Sequence, residues 1–144
     1  MGRDIGNTLR HGRRRSSVTR LTRCLDSALH ERSDHDAIAT WRDANTQHFA
    51  PIQLKEVPPE SANPAATVNG VLAGLAKYDD SKGLIVAVHV TRDERLVFDQ
   101  IRIPDQANVR QVWLFGGASP DQSRWFLYGD LLSEPSFHEF PYPD

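Results

Sequence analysis

The chain has 144 residues, of which 39% are hydrophobic and 25% are charged, a composition typical of one globular domain with a substantial apolar core. Its single cysteine, Cys24, excludes an intramolecular disulfide framework and a cysteine-based zinc site. The net charge of −2 conceals an asymmetry. Residues 1–23 hold seven arginines and one aspartate, a sum of +6, so the remaining 121 residues carry −8.

Residues 1–15 show no apolar periodicity and predict a flexible, arginine-rich arm. Such an arm, extended by the arginines that follow it, would contact the phosphates of a nucleic acid or another polyanion. The competing interpretations are a targeting segment and a solvated tail without function. The predicted nucleic-acid-binding residues are Arg10, Arg13, Arg14, Arg15, Arg20 and Arg23.

Three helices are predicted next. Over residues 16–30 one side of the helix is apolar, and it carries Val18, Leu21, Leu25, Ala28 and Leu29. The apolar spacing of residues 32–49, which includes Ile38, Trp41 and His48, predicts a second helix that Pro51 ends. A third helix is expected to begin at an Asn63 cap, with Pro64 in its first position.

Strands follow along the rest of the chain. The short segment IQLKEV (52–57) predicts an edge strand. Segment LIVAVHV (84–90) is almost wholly apolar, which is typical of a strand covered on both faces. Further strands are predicted at 95–103, 109–115 and 124–132, separated by short polar turns.

The predicted fold class is therefore α+β. Three N-terminal helices would pack on one face of a mainly antiparallel sheet of four to five strands that ends in a C-terminal β-meander. The expected organisation is an arm at 1–15, a single domain at 16–132 and a tail rich in proline and aromatic residues at 133–144. No apolar run is long enough to span a membrane and no secretory signal opens the chain, so we expect a cytoplasmic protein without a transmembrane segment.

Two segments resemble the fold patterns of known proteins. The strands RLVFDQIRI, VRQVWLF and RWFLYGDLL are similar to the strand-rich body of small acidic secretion chaperones, and GLIVAVHVTRDERLVF is similar to the hairpin of Roadblock-type dimers. Neither segment carries a diagnostic motif, so these are analogies between fold patterns and assign the chain to no family.

Catalytic and metal-binding patterns are weak. The cluster HERSDHD (30–36) contains metal-ligand residue types, but helix caps and a polar connector account for every member. A dyad of His89 and Asp99 would form only if a hairpin made the two residues neighbours, and the sequence places no nucleophile beside them. We therefore predict no metal, no cofactor and no assigned catalytic residue.

Aromatic side chains concentrate near the C-terminus, on the last two predicted strands and in the tail. The expected function is that of a non-enzymatic interaction protein, such as an adaptor, an inhibitor or an immunity-type factor, that binds another protein through these residues. A nucleic-acid-associated regulator using the arm is the alternative, and a small enzyme using His89 and Asp99 is the weaker one. The predicted partner-binding residues are Trp113, Phe115, Trp125, Tyr128, Phe137, Phe140 and Tyr142.

Overall fold

The computed structural model describes residues 35–142, which form one curled six-stranded sheet, a half-barrel, together with a single short α-helix. The strands are β1 (Ala37–Asp43), β2 (Thr46–Val57), β3 (Ser81–Val90), β4 (Val109–Gly117), β5 (Arg124–Gly129) and β6 (Ser136–Pro141). Helix α1 (Val68–Ala73) runs into a 3₁₀ turn at Gly74–Lys77, and a second 3₁₀ turn lies at Phe98–Gln100.

The strands lie in the sheet in the same order as in the chain. Strands β2, β3 and β4 are parallel to one another, whereas β1–β2, β4–β5 and β5–β6 pair antiparallel. Parallel neighbours require crossover connections, which residues 58–80 and 91–108 supply. The Asn69 side chain joins the two crossovers, since it donates to the Gln100 carbonyl and accepts from the Arg102 N–H, both at 2.9 Å. Both crossovers therefore lie on the same side of the sheet.

That side of the sheet holds the core. Alternate residues of β3 and β4 are buried there, as the period of two in a strand requires, and Val86, Val88 and Leu114 are fully inaccessible. Helix α1 and the 3₁₀ turn that follows it cover them with Leu72 and Leu75. We refer to this side as the covered face.

The predicted three-helix α+β arrangement is wrong, because the described residues form mainly a curled sheet with one short helix. The first predicted helix, residues 16–30, lies outside the described residues. The second predicted helix is a hairpin of β1 and β2, closed by a two-residue turn at Ala44, which has a positive φ of 48°, and Asn45. Trp41 and His48, seven residues apart, would share one side of a helix. Here they are cross-strand partners with stacked rings 5.1 Å apart.

The third predicted helix is present but begins later and is shorter than expected. Thr67 caps α1 by accepting the Gly70 N–H at 3.0 Å, while Asn63 accepts from the Ala65 N–H and holds the preceding turn. Six α-helical residues and one 3₁₀ turn suffice to bridge β2 and β3.

The strand predictions have mixed outcomes. The strands predicted at 84–90 and 109–115 are confirmed within β3 and β4, and the strand predicted at 124–132 is confirmed only as far as Gly129, where β5 ends. The strand predicted at 95–103 is wrong, because this segment is the crossover that the parallel pairing of β3 and β4 demands, and its Leu96, Ile101 and Ile103 pack on the core. Segment 52–57 belongs to β2, an inner strand, and the tail contributes β6.

Candidate functional site: the open face of the sheet

The second face of the sheet is apolar, and within residues 35–142 neither helical segment lies on it. Strand register and the alternation of side chains assign residues to this face. We call this surface the open face. Its members on β2 to β6 are Ile52, Leu54, Glu56, Ile85, Ala87, His89, Gln111, Trp113, Phe115, Trp125, Leu127, Ser136, His138 and Phe140.

A stack of rings crosses the open face near the carboxyl ends of β3 and β4. The parallel register pairs His89 with Phe115, whose rings are 4.8 Å apart and inclined by only 7°. The Trp125 indole lies 5.4 Å from His89 and 6.3 Å from Phe115. Tyr142, just beyond β6, lies 5.5 Å from Trp125. These rings fix one another's positions and form a rigid apolar platform.

The Trp113 indole, another large ring of the open face, packs against the backbone of the neighbouring strand. Gly129 is the cross-strand partner of Trp113, and a Cβ at Gly129 would lie 2.8 Å from the indole Cε3 atom and from the Val112 carbonyl oxygen. The indole thus lies directly over a glycine, an arrangement that covers backbone which would otherwise be exposed. The Trp125 indole N–H donates to the Gln122 carbonyl at 3.0 Å, so its orientation is also fixed.

The described charges on the open side of the sheet are two carboxylates and one guanidinium. Among the described strand residues assigned to this side of the sheet, Glu56 on β2 and Asp43 at the end of β1 are acidic. Arg110 approaches the β1 edge, where its guanidinium lies 5.7 Å from the centre of the Trp41 ring. Residues 35–142 as a whole carry nine lysines and arginines against fourteen acidic residues, a net −5.

His89 is half-buried beside Phe115 and Trp125. Burial among its neighbours lowers the pKa of its imidazole, and the adjacent Glu56 carboxylate opposes that shift only in part. Glu56 itself accepts the hydroxyl of Thr91 at 3.2 Å. A lowered pKa favours the neutral imidazole, and this ring packs against Phe115 and Trp125 as part of the aromatic surface of the open face.

A cleft of about 460 Å³ adjoins the stack at the carboxyl ends of β3 and β4, and His89 and Trp125 are among its lining residues. Its one arginine, Arg92, is nearly buried and already engaged by Glu94, at 3.2 Å, and by the Ala66 carbonyl. The loop on its far side is held by Asp121, whose pKa is lowered to about 2 by hydrogen bonds from neighbouring serines. The cleft therefore lies at the end of the sheet, where His89 and Trp125 of the open face meet Val90, Leu96 and Phe126 of the core.

The seven predicted partner-binding residues divide between the two sides of the sheet. Trp113, Phe115, Trp125 and Phe140 lie on the open face, and Tyr142 contacts it. The other two lie on the covered face: Tyr128 stacks on Phe98 at 4.0 Å, and Phe137 on Phe126 at 6.0 Å.

The sequence reasoning overlooked the aliphatic part of the open face. Leu54, Ile85, Ala87 and Leu127 lie there, between and beside the rings. The available signal was the continuous apolar run of β3, which supplies apolar residues to both faces of the sheet.

The structure does not bring His89 and Asp99 together. His89 projects from the open face, whereas Asp99 lies in the 3₁₀ turn of the crossover on the covered face. The six predicted nucleic-acid-binding arginines lie outside the described residues, as does most of the HERSDHD cluster. Within residues 35–142 no group of three or more metal-ligating side chains is placed to hold an ion. No helix in this part of the chain has the length and apolarity needed to cross a bilayer.

Comparison with known proteins finds no family model, no curated protein and no solved structure that matches this chain.

Proposed function

We propose that this protein is a non-enzymatic interaction factor, of the adaptor, inhibitor or immunity type, that binds an apolar segment of another protein on its open face. The observation that carries the proposal is the largely apolar surface across five strands, on which neither helical segment within residues 35–142 lies. Exposed apolar patches of this extent on small proteins mark interaction sites.

The size of the open face suits a helix or an extended segment as the ligand. Five strands spaced about 4.8 Å apart span roughly 19 Å, the length of about 13 helical residues. Leu54 and Phe140 are accessible to a partner, being 47% and 39% exposed. Trp113, Phe115 and Trp125 supply the rigid rings that are enriched at the centres of interfaces.

The charges of the described residues favour a partner segment that carries positive charge. Because Glu56 lies beside the ring stack, whereas the Arg110 guanidinium lies over Trp41 at the β1 edge, a segment with lysine or arginine flanking the apolar residues that contact the stack is favoured. A strongly acidic segment would be repelled, since residues 35–142 carry −5.

Two features support a binding role over a catalytic one. His89 packs against the Phe115 and Trp125 rings rather than forming a hydrogen bond to a nucleophile. Asp99, its expected partner in a dyad, lies on the other side of the sheet. Nucleic-acid binding through the arginine-rich arm stays a prediction, since those residues lie outside the described part.

The test compares two positions on one strand. A photo-cross-linking amino acid at position 54 of the full chain would capture and identify the partner, and position 49 serves as control because Phe49 is 63% exposed and points to the opposite face. With the captured protein purified, Leu54→Asp should weaken its binding about tenfold or more, since a carboxylate placed against apolar surface costs at least about 1.4 kcal/mol. Phe49→Asp should leave the affinity nearly unchanged. Equal losses in the two variants would contradict the proposal.

A further inference from the structure

The cleft beside the ring stack lies between two segments that leave the sheet. Strand β3 ends at Val90, and residues 91–96 of the crossover form one wall of the cleft. Residues 117–122, which lead from β4 to β5, form the other wall, and Trp125 adds an aromatic surface. The volume of about 460 Å³ is within the range of pockets that hold a ligand. The carboxyl ends of parallel strands are also the usual ligand-binding end of a sheet.

Hydrogen-bond donors on both walls are already engaged within the protein. The Thr91 hydroxyl lies 2.8 Å from the Val57 carbonyl oxygen, to which it donates. The Ser119 hydroxyl donates to the Asp121 carboxylate at 2.6 Å. Four backbone N–H groups of the walls also donate to carbonyls, namely those of Thr91, Glu94, Ala118 and Gln122. A ligand that must accept hydrogen bonds, such as a carboxylate or a phosphate, would therefore find these donors occupied.

The accessible charge of the cleft is negative. Arg92 is the one lysine or arginine among the described residues that line it, and its guanidinium already contacts Glu94 and the Ala66 carbonyl. Asp93 and Glu94 both line the cleft, so it has two carboxylates and one cation. The side chain of Glu94 is 32% exposed, whereas that of Arg92 is only 8% exposed. A ligand therefore meets the carboxylates more readily than the guanidinium, which favours a cation.

The aromatic surface favours arginine over lysine as that cation. Tryptophan is the side chain that attracts cations most strongly to its ring face. The Trp125 indole N–H is engaged by the Gln122 carbonyl, so the ring itself is what a ligand would contact. A guanidinium is planar, stacks on aromatic rings and carries five N–H donors for carboxylates, whereas an ammonium is a compact and strongly hydrated charge.

We infer that this cleft is a subsite for an arginine side chain, whose guanidinium stacks on Trp125 and donates to Asp93 and Glu94. The subsite adjoins the ring stack, because His89 and Trp125 belong to both. An arginine that flanks an apolar segment on the open face can therefore enter it. That this arginine belongs to the partner rests on the proposed function, whereas the affinity of the cleft for a guanidinium does not.

The first test needs no partner. N-acetyl-arginine amide is titrated into the isotope-labelled full chain, and NMR follows the indole N–H signals of the three tryptophans. Single tryptophan-to-phenylalanine variants assign these signals. We expect a saturable shift of the Trp125 signal and none of the Trp41 signal, with a dissociation constant on the order of 1 mM for a ligand of this size.

Two related ligands make the test specific for a guanidinium. N-acetyl-citrulline amide has nearly the same shape but a neutral urea group, and it should bind about tenfold or more weakly. The corresponding lysine derivative should bind about threefold more weakly. Absence of a saturable shift at Trp125 would overturn the inference, as would equal binding of the citrulline derivative.

Matched substitutions locate the ligand. Asp93→Asn removes the charge of one carboxylate of the cleft and should weaken binding of the arginine derivative about threefold. Asp105→Asn, in the turn that precedes β4 and outside the cleft, should leave the dissociation constant unchanged. Equal dissociation constants for these two variants would contradict the cleft as the binding site.

A second experiment separates this inference from the proposed function. Asp93→Asn should weaken binding of the protein captured at position 54 about threefold, and N-acetyl-arginine amide should compete with that protein. If Leu54→Asp weakens partner binding but Asp93→Asn does not, the open face binds the partner and the inference of a partner arginine is overturned. If the arginine derivative binds the cleft while Leu54→Asp and Phe49→Asp lose equal affinity for the partner, the proposed function fails and the guanidinium site is supported.

Discussion

The close contact between Gly116 of β4 and strand β3 predicts that a larger residue at position 116 destabilises the protein and displaces the ring stack. This glycine pairs with Val90 of β3, and a Cβ in its place would lie 2.6 Å from the Val90 carbonyl oxygen and 3.2 Å from the Phe126 ring. The carbonyl is backbone and cannot rotate away, so Gly116→Ala must separate β3 from β4. Overpacking of this kind costs about 1–3 kcal/mol of the free energy of unfolding.

The neighbouring glycine is a matched control. A Cβ at Gly117 would have its nearest contact at 3.6 Å, an ordinary van der Waals distance. Gly117→Ala should therefore change the free energy of unfolding by no more than about 0.5 kcal/mol. Urea denaturation followed by circular dichroism measures both variants, and equal stability of the two would refute the argument from close approach. Because the same separation moves Phe115 away from His89, Gly116→Ala should also weaken partner binding.

Three further predictions concern the core, a buried backbone donor and pH. Leu72→Ala should cost about 2–5 kcal/mol in chemical denaturation, because Leu72 is fully buried beneath the sheet; a loss below 1 kcal/mol would contradict the assigned covered face. Asp130→Ala should cost about 1–3 kcal/mol in the same assay, because the buried Val112 N–H loses its acceptor at 3.0 Å, and Asp130→Asn should retain most of the stability; equal losses would argue against the bond. Below its ordinary pKa of 6.5 the unfolded chain protonates His89 before the folded protein does, so stability should fall as the pH drops from 6.5 towards the lowered pKa. His89→Phe should flatten this dependence in denaturation at successive pH values, and an unaltered slope would show that His89 is not its source.

Three of the four strands predicted in the second half of the chain could be recognised because their local patterns have one interpretation, whereas segment 95–103 has apolar residues that pack on the core from a crossover. Segment 84–90 is too short and too rich in β-branched residues for a buried helix, and glycine and proline turns bound the strands after it. The hairpin of β1 and β2 could not be distinguished from a helix by spacing alone. Trp41 and His48 are seven residues apart, which fits two helical turns and also a cross-strand pair around a two-residue turn. Pro51 does not distinguish a helix from a strand at this position, because the parallel pairing of β2 with β3 begins only at Ile52.

The open face could be predicted only in part, since it depends on register between distant segments. The aromatic residues of β4 and β5 were visible as a concentration of rings, but their division between the faces was not. Tyr128 and Trp125 differ by an odd number of residues and therefore face opposite sides. The contribution of Leu54 depends on the parallel pairing of β2 with β3, which joins segments about 30 residues apart and has no local sequence signal.

The most direct test of the open face as a binding surface is hydroxyl-radical footprinting of the full chain, alone and with the protein captured by cross-linking at position 54. Side-chain oxidation would be measured by mass spectrometry at Trp125 and Phe140 on the open face and at Phe49 and Val97 elsewhere. The account predicts that complex formation slows oxidation of the first pair and leaves the second pair unchanged. Protection of Phe49 and Val97 with no change at Trp125 and Phe140 would contradict it.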